Sequence, residues 1–225
     1  MEGKIVVTGA SGNLGSAVCE KLLAEPGARV VALVHRESSR AALAEKLGPN
    51  AEVRVAELSS EASVAAALEG AGTLYGAVNC AGGWKGGTPV DQTSLELFDE
   101  MIAVNVKSAF VVSREALRRG AKRIVNVASL TAAQLAGMSG SSAYNLSKAA
   151  VVALTKVIAE EGAKTGVRCN CVAPGTLRTK ENERAMPSAD SSRWVPVEDV
   201  ARAIAFLLAP ESEAVNGAVI LLPSR

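Results

Sequence analysis

Short β-branched runs alternate with alanine-rich segments of helical period along nearly the whole chain, and this alternation constrains the fold more than any single residue. "KIVVT" is followed by a helical segment from Leu14 to Ala24, "RVVALV" by Ser38 to Leu47, "EVRVA" by Glu61 to Leu68, and then comes "TLYGAVN". Strands joined through helices run parallel, because a crossover of that length is not a hairpin. The pattern continues in "RIVNVAS", a helix from about Ser142 to Lys164, "VRCNCVA", a helix from about Val197 to Leu208, and a last strand "AVILL". Such βαβαβ winding predicts one α/β unit, a parallel sheet with helices on both faces in three αβα layers. No linker, repeat or low-complexity tract interrupts it, so residues 1–225 are expected to form a single domain.

Hydrophobic residues make up 48% of the 225 positions and aromatics only 3%. The interior is therefore built from Ala, Val, Leu and Ile, as in helices packed on a parallel sheet. A formal charge of +1 gives no general drive toward nucleic acid or an anionic membrane, which leaves small-molecule chemistry. Cys19, Cys80, Cys169 and Cys171 form no CxxC pair and no disulfide framework, pointing to a reducing compartment. No apolar run reaches the length of a membrane span and a strand starts at Lys4, so a cytoplasmic protein is expected.

"TGASGNLG" falls between the first strand and the first helix. Gly9, Gly12 and Gly15 there allow a tight turn and a close backbone approach to a pyrophosphate, held by the amides and dipole of the helix N-terminus. Ser11, Asn13 and Leu14 complete this turn. The second strand ends in "ALVHRESSR", with His35 where an acidic residue would accept from a ribose 2′-OH, and Arg36 after it. An arginine suits a 2′-phosphate, so NADP(H) is favoured and NAD(H) is possible, Arg36 being equally compatible with a solvated surface charge. His35, the one histidine, is read as a neighbour of the adenosine end rather than as a base or metal ligand.

In "SAYNLSKAA", Tyr144 and Lys148 stand four apart at the start of a helix and rise from one face. An ammonium beside a phenol stabilises the phenolate and brings a sluggish acid toward the working pH range. "RIVNVAS" delivers Ser129 to the carboxyl end of a strand, where open α/β sheets bind ligands.

With these residues the chain resembles the short-chain dehydrogenase/reductase family nearly end to end. "TGASGNLG" is similar to its cofactor turn, Glu57 and Leu58 of "VAELSS" to its adenine-side position, and Asn79, Ala81 and Gly82 of "NCAG" to its NNAG strand end. Asn105 resembles its tetrad asparagine, "YNLSK" its YxxxK, and "APGTLRT", with Pro174, Gly175, Leu177 and Thr179, its PGxxxT. The resemblance implies a Rossmann fold of about seven strands and a homodimer or homotetramer, with Leu95–Ala116 and Ala143–Lys164 as dimerisation helices. It also implies hydride transfer between nicotinamide and a small carbonyl or alcohol. Tyr144 would be the general acid and Lys148 would lower its pKa and bind the nicotinamide ribose. Ser129 would bind the carbonyl oxygen, and Asn105 would support a water relay to Lys148. Asn105 also suits a purely structural part as a buried amide tie.

Three departures stand out. The glycine spacing is TGxxGxxG, the chain ends in "ILLPSR" without DGG, and Ser129 lies two residues further from Tyr144 than is usual. Thr131 sits at the usual distance, so either hydroxyl is a candidate, Ser129 being preferred because "VNVAS" matches the strand-end pattern. "AGGWKGG" and "MPSADSSRWVP" resemble dihydropteridine reductases, enzymes that reduce a quinonoid pterin, although Ser129 and Arg36 point to an ordinary carbonyl reductase. Trp84 and Trp194 are read as walls of the substrate pocket, facing each other across it, and Gly83, Gly86 and Gly87 as letting the loop bend away from the nicotinamide. The irregular stretch from Pro174 to Pro196 is read as a lid, with a short solvated helix around Lys180–Arg184. A dinucleotide sensor or scaffold without turnover is the alternative of another class.

Overall fold

The computed structural model describes residues 3–224. Its first half follows the predicted alternation: β1 (Gly3–Thr8), α1 (Asn13–Leu23), β2 (Ala28–Val34), α2 (Arg40–Leu47), β3 (Ala51–Val55), α3 (Glu61–Ala67) and β4 (Leu74–Asn79). Next come α4 (Leu95–Met101), α5 (Ser108–Arg118), β5 (Arg123–Val127), α6 (Leu130–Gln134), α7 (Ser142–Gly162) and β6 (Arg168–Pro174). The chain then runs through β7 (Leu177–Arg178), α8 (Lys180–Ala185), β8 (Val195–Pro196), α9 (Val197–Leu208) and β9 (Val219–Leu222).

Seven strands form one parallel sheet in the order β3-β2-β1-β4-β5-β6-β9. Period-two alternation distributes the β-branched side chains between two helical layers. Ile5 and Val7 face Val18 and Leu22 of α1 and Ile204 and Leu208 of α9. Val6 points the other way, with Val64 of α3, Val112 of α5 and Ile158 of α7. Both faces are covered, so the strands read as continuous apolar runs, and this is the Rossmann fold. The winding reverses between β1 and β4, which opens a crevice at the carboxyl edge of the sheet.

One feature inside α4–α5 lies outside what the helical period predicts. The helix continues from Leu95 to Arg118, but over Ile102–Lys107 its hydrogen bonding widens to a π-turn. Asn105 sits in that turn, and π-turns turn a side chain away from the ordinary helical track. The lid stretch contains the short helix α8, exposed as expected, and is tied down by β7–β8 pairing of Leu177 with Val195.

Candidate active site

The glycine turn is built by close backbone contact. Gly9 takes φ of +62°, and a Cβ on it would stand 2.9 Å from the Cα of Ala81. A Cβ on Gly15 would lie 2.2 Å from the carbonyl oxygen of Gly9. α1 starts at Asn13 with Gly12 before it and no side chain capping its first amides. Bare N–H groups at a helix start, behind glycines that admit a close neighbour, fit a dinucleotide pyrophosphate. The crevice beside them measures about 580 Å³ and is lined by Gly9, Ser11, Gly12, Asn13, Leu14 and Gly15 at this end.

Toward the adenosine side the lining continues with Leu33, His35, Glu57, Leu58 and Ser59. His35 Nδ1 lies 3.6 Å from a Glu57 carboxylate oxygen. The backbone N–H and hydroxyl of Ser59 both donate to that carboxylate and hold its pKa below the usual range. Arg36 is exposed and is not part of the lining, so it stands beside the crevice rather than in it. At the far end are Ala81, Gly82, Ala103, Val104 and Ser108, together with Leu177 and Thr179 from the stretch after β6. Thr179 also caps α8 by accepting from Asn182 N–H, and α8 is moored to the turn where Asn13 Nδ2 donates to Glu181 at 2.6 Å.

Gly82 is the hinge between crevice and chemistry. A Cβ there would meet Asn105 Oδ1 at 2.7 Å and Lys148 Nζ at 2.9 Å, so both groups converge on its bare Cα. Asn105 Oδ1 accepts from Gly83 N–H, and its Nδ2 donates to Gly83 carbonyl and Ser147 Oγ. Both ends of this amide are thus engaged in fixing the glycine turn to α7. Lys148 is buried and donates to Val127 carbonyl at 3.0 Å. Burial lowers its pKa to about 8, partly offset by the thiols of Cys171 and Cys80.

Burial also raises the Tyr144 phenol, and its hydrogen bond with Ser129 opposes that shift. The nearest acceptor of the Lys148 ammonium is the carbonyl of Val127, and the side chain that acts on the phenol by hydrogen bonding is Ser129. Between the two candidate hydroxyls the structure distinguishes by direction: Ser129 reaches Tyr144, whereas Thr131 Oγ1 donates to Asn145 Oδ1 at 2.7 Å. The folded protein holds the Lys148 proton less tightly than the unfolded chain. Unfolding therefore takes up protons, and stability rises with pH between about 8 and 10.5. Thermal midpoints measured across that interval should climb relative to those of Lys148→Met; parallel curves would count against a buried ammonium.

Several expectations need correction. Asn79 is buried, and its Nδ2 donates to Ser113 Oγ and Asn126 Oδ1, so its side chain ties β4 to β5 and α5 instead of lining the crevice. Pro174 ends β6, and Gly175 N–H is paired with Leu222 carbonyl of β9. Trp84 is 63% exposed and Trp194 only 8%, so one ring stands in solvent while the other is buried. Gly87 takes φ of +105°, its N–H donates to Gly140 carbonyl at 2.6 Å, and Thr88 bridges Ser141. The glycine loop is clasped to the chain entering α7. Two contributors escaped the sequence reading. Thr8 Oγ1 accepts from Ala81 N–H, and Ser147 joins Asn105 to Tyr144 carbonyl. Thr8 opens the glycine motif and Ser147 lies within "YNLSK", so motif membership was the available signal.

Comparison with known proteins agrees with this geometry. The family model described as short chain dehydrogenase matches residues 3–189. A Picea abies protein named short-chain type dehydrogenase/reductase is 36% identical over 245 residues, covering 96% of this chain and 89% of its own. The 2-(R)-hydroxypropyl-CoM dehydrogenase of Xanthobacter autotrophicus is 35% identical over 242 residues, covering 96% and 95%. A solved short-chain type dehydrogenase/reductase from Mycobacterium ulcerans superposes with a TM-score of 0.90 at 28% identity, covering 99% of this chain and 89% of that one. These relatives favour an ordinary oxidoreductase over a pterin reductase or a silent sensor, and the likeness to dihydropteridine reductases is confined to two loops. With matching over nearly its whole length and the family's tyrosine, lysine and glycine turn in place, the chain belongs to the short-chain dehydrogenase/reductase family and is an NAD(P)-dependent oxidoreductase acting on CH–OH or C=O groups.

Proposed function

We propose that the protein reduces a small carbonyl compound with NADPH. One observation carries the reading: Lys148 and Asn105 converge on Gly82, at one end of a crevice whose other end is the uncapped start of α1. A dinucleotide would be held by the first amides of α1 and the bare backbone at Gly82, and would supply the hydride. Tyr144 gives its proton to the carbonyl oxygen, and burial suits it to this by keeping the phenol protonated at neutral pH. Ser129 donates a hydrogen bond to the same oxygen as charge develops there. Lys148 places a positive charge beside Gly82, and Asn105 holds Gly83 so that the turn keeps its shape. Trp84 borders the substrate entrance.

Preference for the phosphorylated dinucleotide is supported by the residues just after β2, His35 and Arg36, with no acidic residue at the position of His35. One charge-assisted hydrogen bond to a 2′-phosphate is worth about 1.5–3 kcal/mol, or roughly tenfold and more in kcat/KM. NADPH and NADH oxidation measured with a panel of ketones and with quinonoid dihydropterin tests both assignments. An equal or inverted NADPH/NADH ratio removes the NADP(H) preference. Turnover of the pterin alone replaces the substrate class, and dinucleotide binding without any turnover replaces the enzyme by a sensor.

We take residues 1–225 as one dinucleotide-binding domain working in the reducing cytoplasm, where the free thiols Cys19, Cys80, Cys169 and Cys171 are stable. Among the described residues no helix is long and apolar enough to cross a membrane. Exposed Leu95, Phe110, Leu146 and Val157 on α4, α5 and α7 support a homodimer or homotetramer built on those helices.

A further inference from the structure

We propose that Asn145 and Thr131 form a hydrogen-bond relay of fixed polarity that draws the hydroxyl proton of Ser129 away from Tyr144 while the phenol is neutral. The polarity starts at Asn145, which is 2% exposed. Its Nδ2 donates to the carbonyls of Met138 at 3.2 Å and Ser141 at 3.0 Å. Both N–H bonds are committed to acceptors, so the orientation of the amide is set and Oδ1 can only accept. Thr131 Oγ1 donates to it at 2.7 Å. A hydroxyl has one proton, so toward Ser129 Oγ, 3.3 Å away, Thr131 can only accept. Ser129 therefore donates to Thr131, while its own oxygen accepts from Ala132 N–H at 3.3 Å.

When Tyr144 loses its proton, the single proton of Ser129 turns to the phenolate, and Thr131 is left without a donor. That forfeited contact opposes ionisation, so the relay acts as a brake holding Tyr144 in its protonated form. Thr131 and Asn145 are positioning residues, acting through Ser129. Lys148 lies four residues on from Tyr144 along α7, and beside that lysine are the thiols of Cys80, just after β4, and Cys171, in β6. The thiols act on Lys148, and Ser129 is the side chain that acts on the phenol.

The inference rests on Tyr144 as the proton donor, and its test separates the two. Tyr75 and Tyr144 are the only tyrosines, so in a Tyr75→Phe background the ultraviolet absorbance of phenolate reports Tyr144 alone, without cofactor or turnover. Thr131→Val removes the acceptor at nearly constant shape. The Tyr144 titration should move down by roughly half a unit to one unit, the equivalent of one ordinary hydrogen bond. The corresponding limb of the kcat–pH profile should follow it, with dinucleotide Kd unchanged. Thr131→Ser should restore the wild-type titration. Asn145→Ala, which frees Thr131 to donate to Ser129, should shift Tyr144 in the same direction, and serves if Thr131→Val does not fold. An unchanged or raised titration in these variants, or Thr131→Ser behaving like Thr131→Val, overturns the relay. Full turnover by Tyr144→Phe would instead overturn the assignment of the proton donor and leave the titration result standing.

Discussion

A Tyr144→Phe variant will bind the dinucleotide as the wild type does and turn over its carbonyl substrate about 10²–10⁴-fold more slowly, the usual contribution of a positioned general acid. The substitution removes one oxygen and keeps the ring, so α7 and its packing on β6 are undisturbed. Ser129 then loses the partner it shares a hydrogen bond with, but keeps the amide of Ala132 and the hydroxyl of Thr131. Folding should change little. The effect belongs to kcat, because the phenol proton is transferred only as charge develops on the substrate oxygen. Steady-state kinetics with the best ketone, together with dinucleotide titration by calorimetry, measures both halves. A variant that keeps kcat within a factor of a few would move the proton donor elsewhere, to a water or to Ser129.

The layered architecture was legible because its signals are local. β-branched runs such as "KIVVT" and "RVVALV" become strands buried on both faces, and the helices between them carry their own period. The bounds of α9 coincide with the expectation, while α7 stops at Gly162 and passes into a short 3₁₀ turn at Ala163–Thr165. The widening of the helix at Ile102–Lys107 had no sequence signature. "IAVNVK" is as helical in pattern as its flanks, and what the widened turn accommodates is the bonding of Asn105 to Gly83 and Ser147, groups distant in sequence.

At the site, motifs located residues well and side-chain direction poorly. Gly9, Gly12 and Gly15 are legible because their function is the absence of a side chain. Asn79 was placed correctly at the end of β4, yet a strand covered on both sides offers its last residue either a helix or the crevice, and Ser113 and Asn126 draw the amide inward. The same holds for the hydroxyl pair after β5. Spacing pointed to Thr131 and the strand-end pattern to Ser129, and the tie between Thr131 and Asn145 separates them. Trp84 and Trp194 were linked through the two loops that carry them, but a loop's sequence says nothing of how deep its ring lies.

The glycine turn gives the second large effect, and its three glycines are not equivalent. Gly15→Ala should abolish useful dinucleotide binding and lower the thermal midpoint, whereas Gly12→Ala should be mild on both counts. A methyl on Gly15 would lie 2.2 Å from the carbonyl oxygen of Gly9, 2.7 Å from its carbon and 2.9 Å from the Cα of Ala10. All three are backbone atoms, so relief requires the turn to move relative to α1. Overpacking of that kind costs about 1–3 kcal/mol, which in a chain of this size is about 2–4 °C for each kcal/mol. Affinity suffers further, because the displaced segment is the one that aims the first amides of α1 at the pyrophosphate. A methyl on Gly12 meets only the Gly9 oxygen, at 3.3 Å, a distance that a shift of a few tenths of an ångström relieves. The two variants differ by one methyl at positions three apart on the same turn, so composition and charge cancel between them. Calorimetric Kd for NADPH and thermal unfolding of both proteins give the comparison. Equal losses in the two would mean that the turn is a flexible loop that closes on its ligand, and not a preformed cradle whose shape depends on the contact of Gly15 with Gly9.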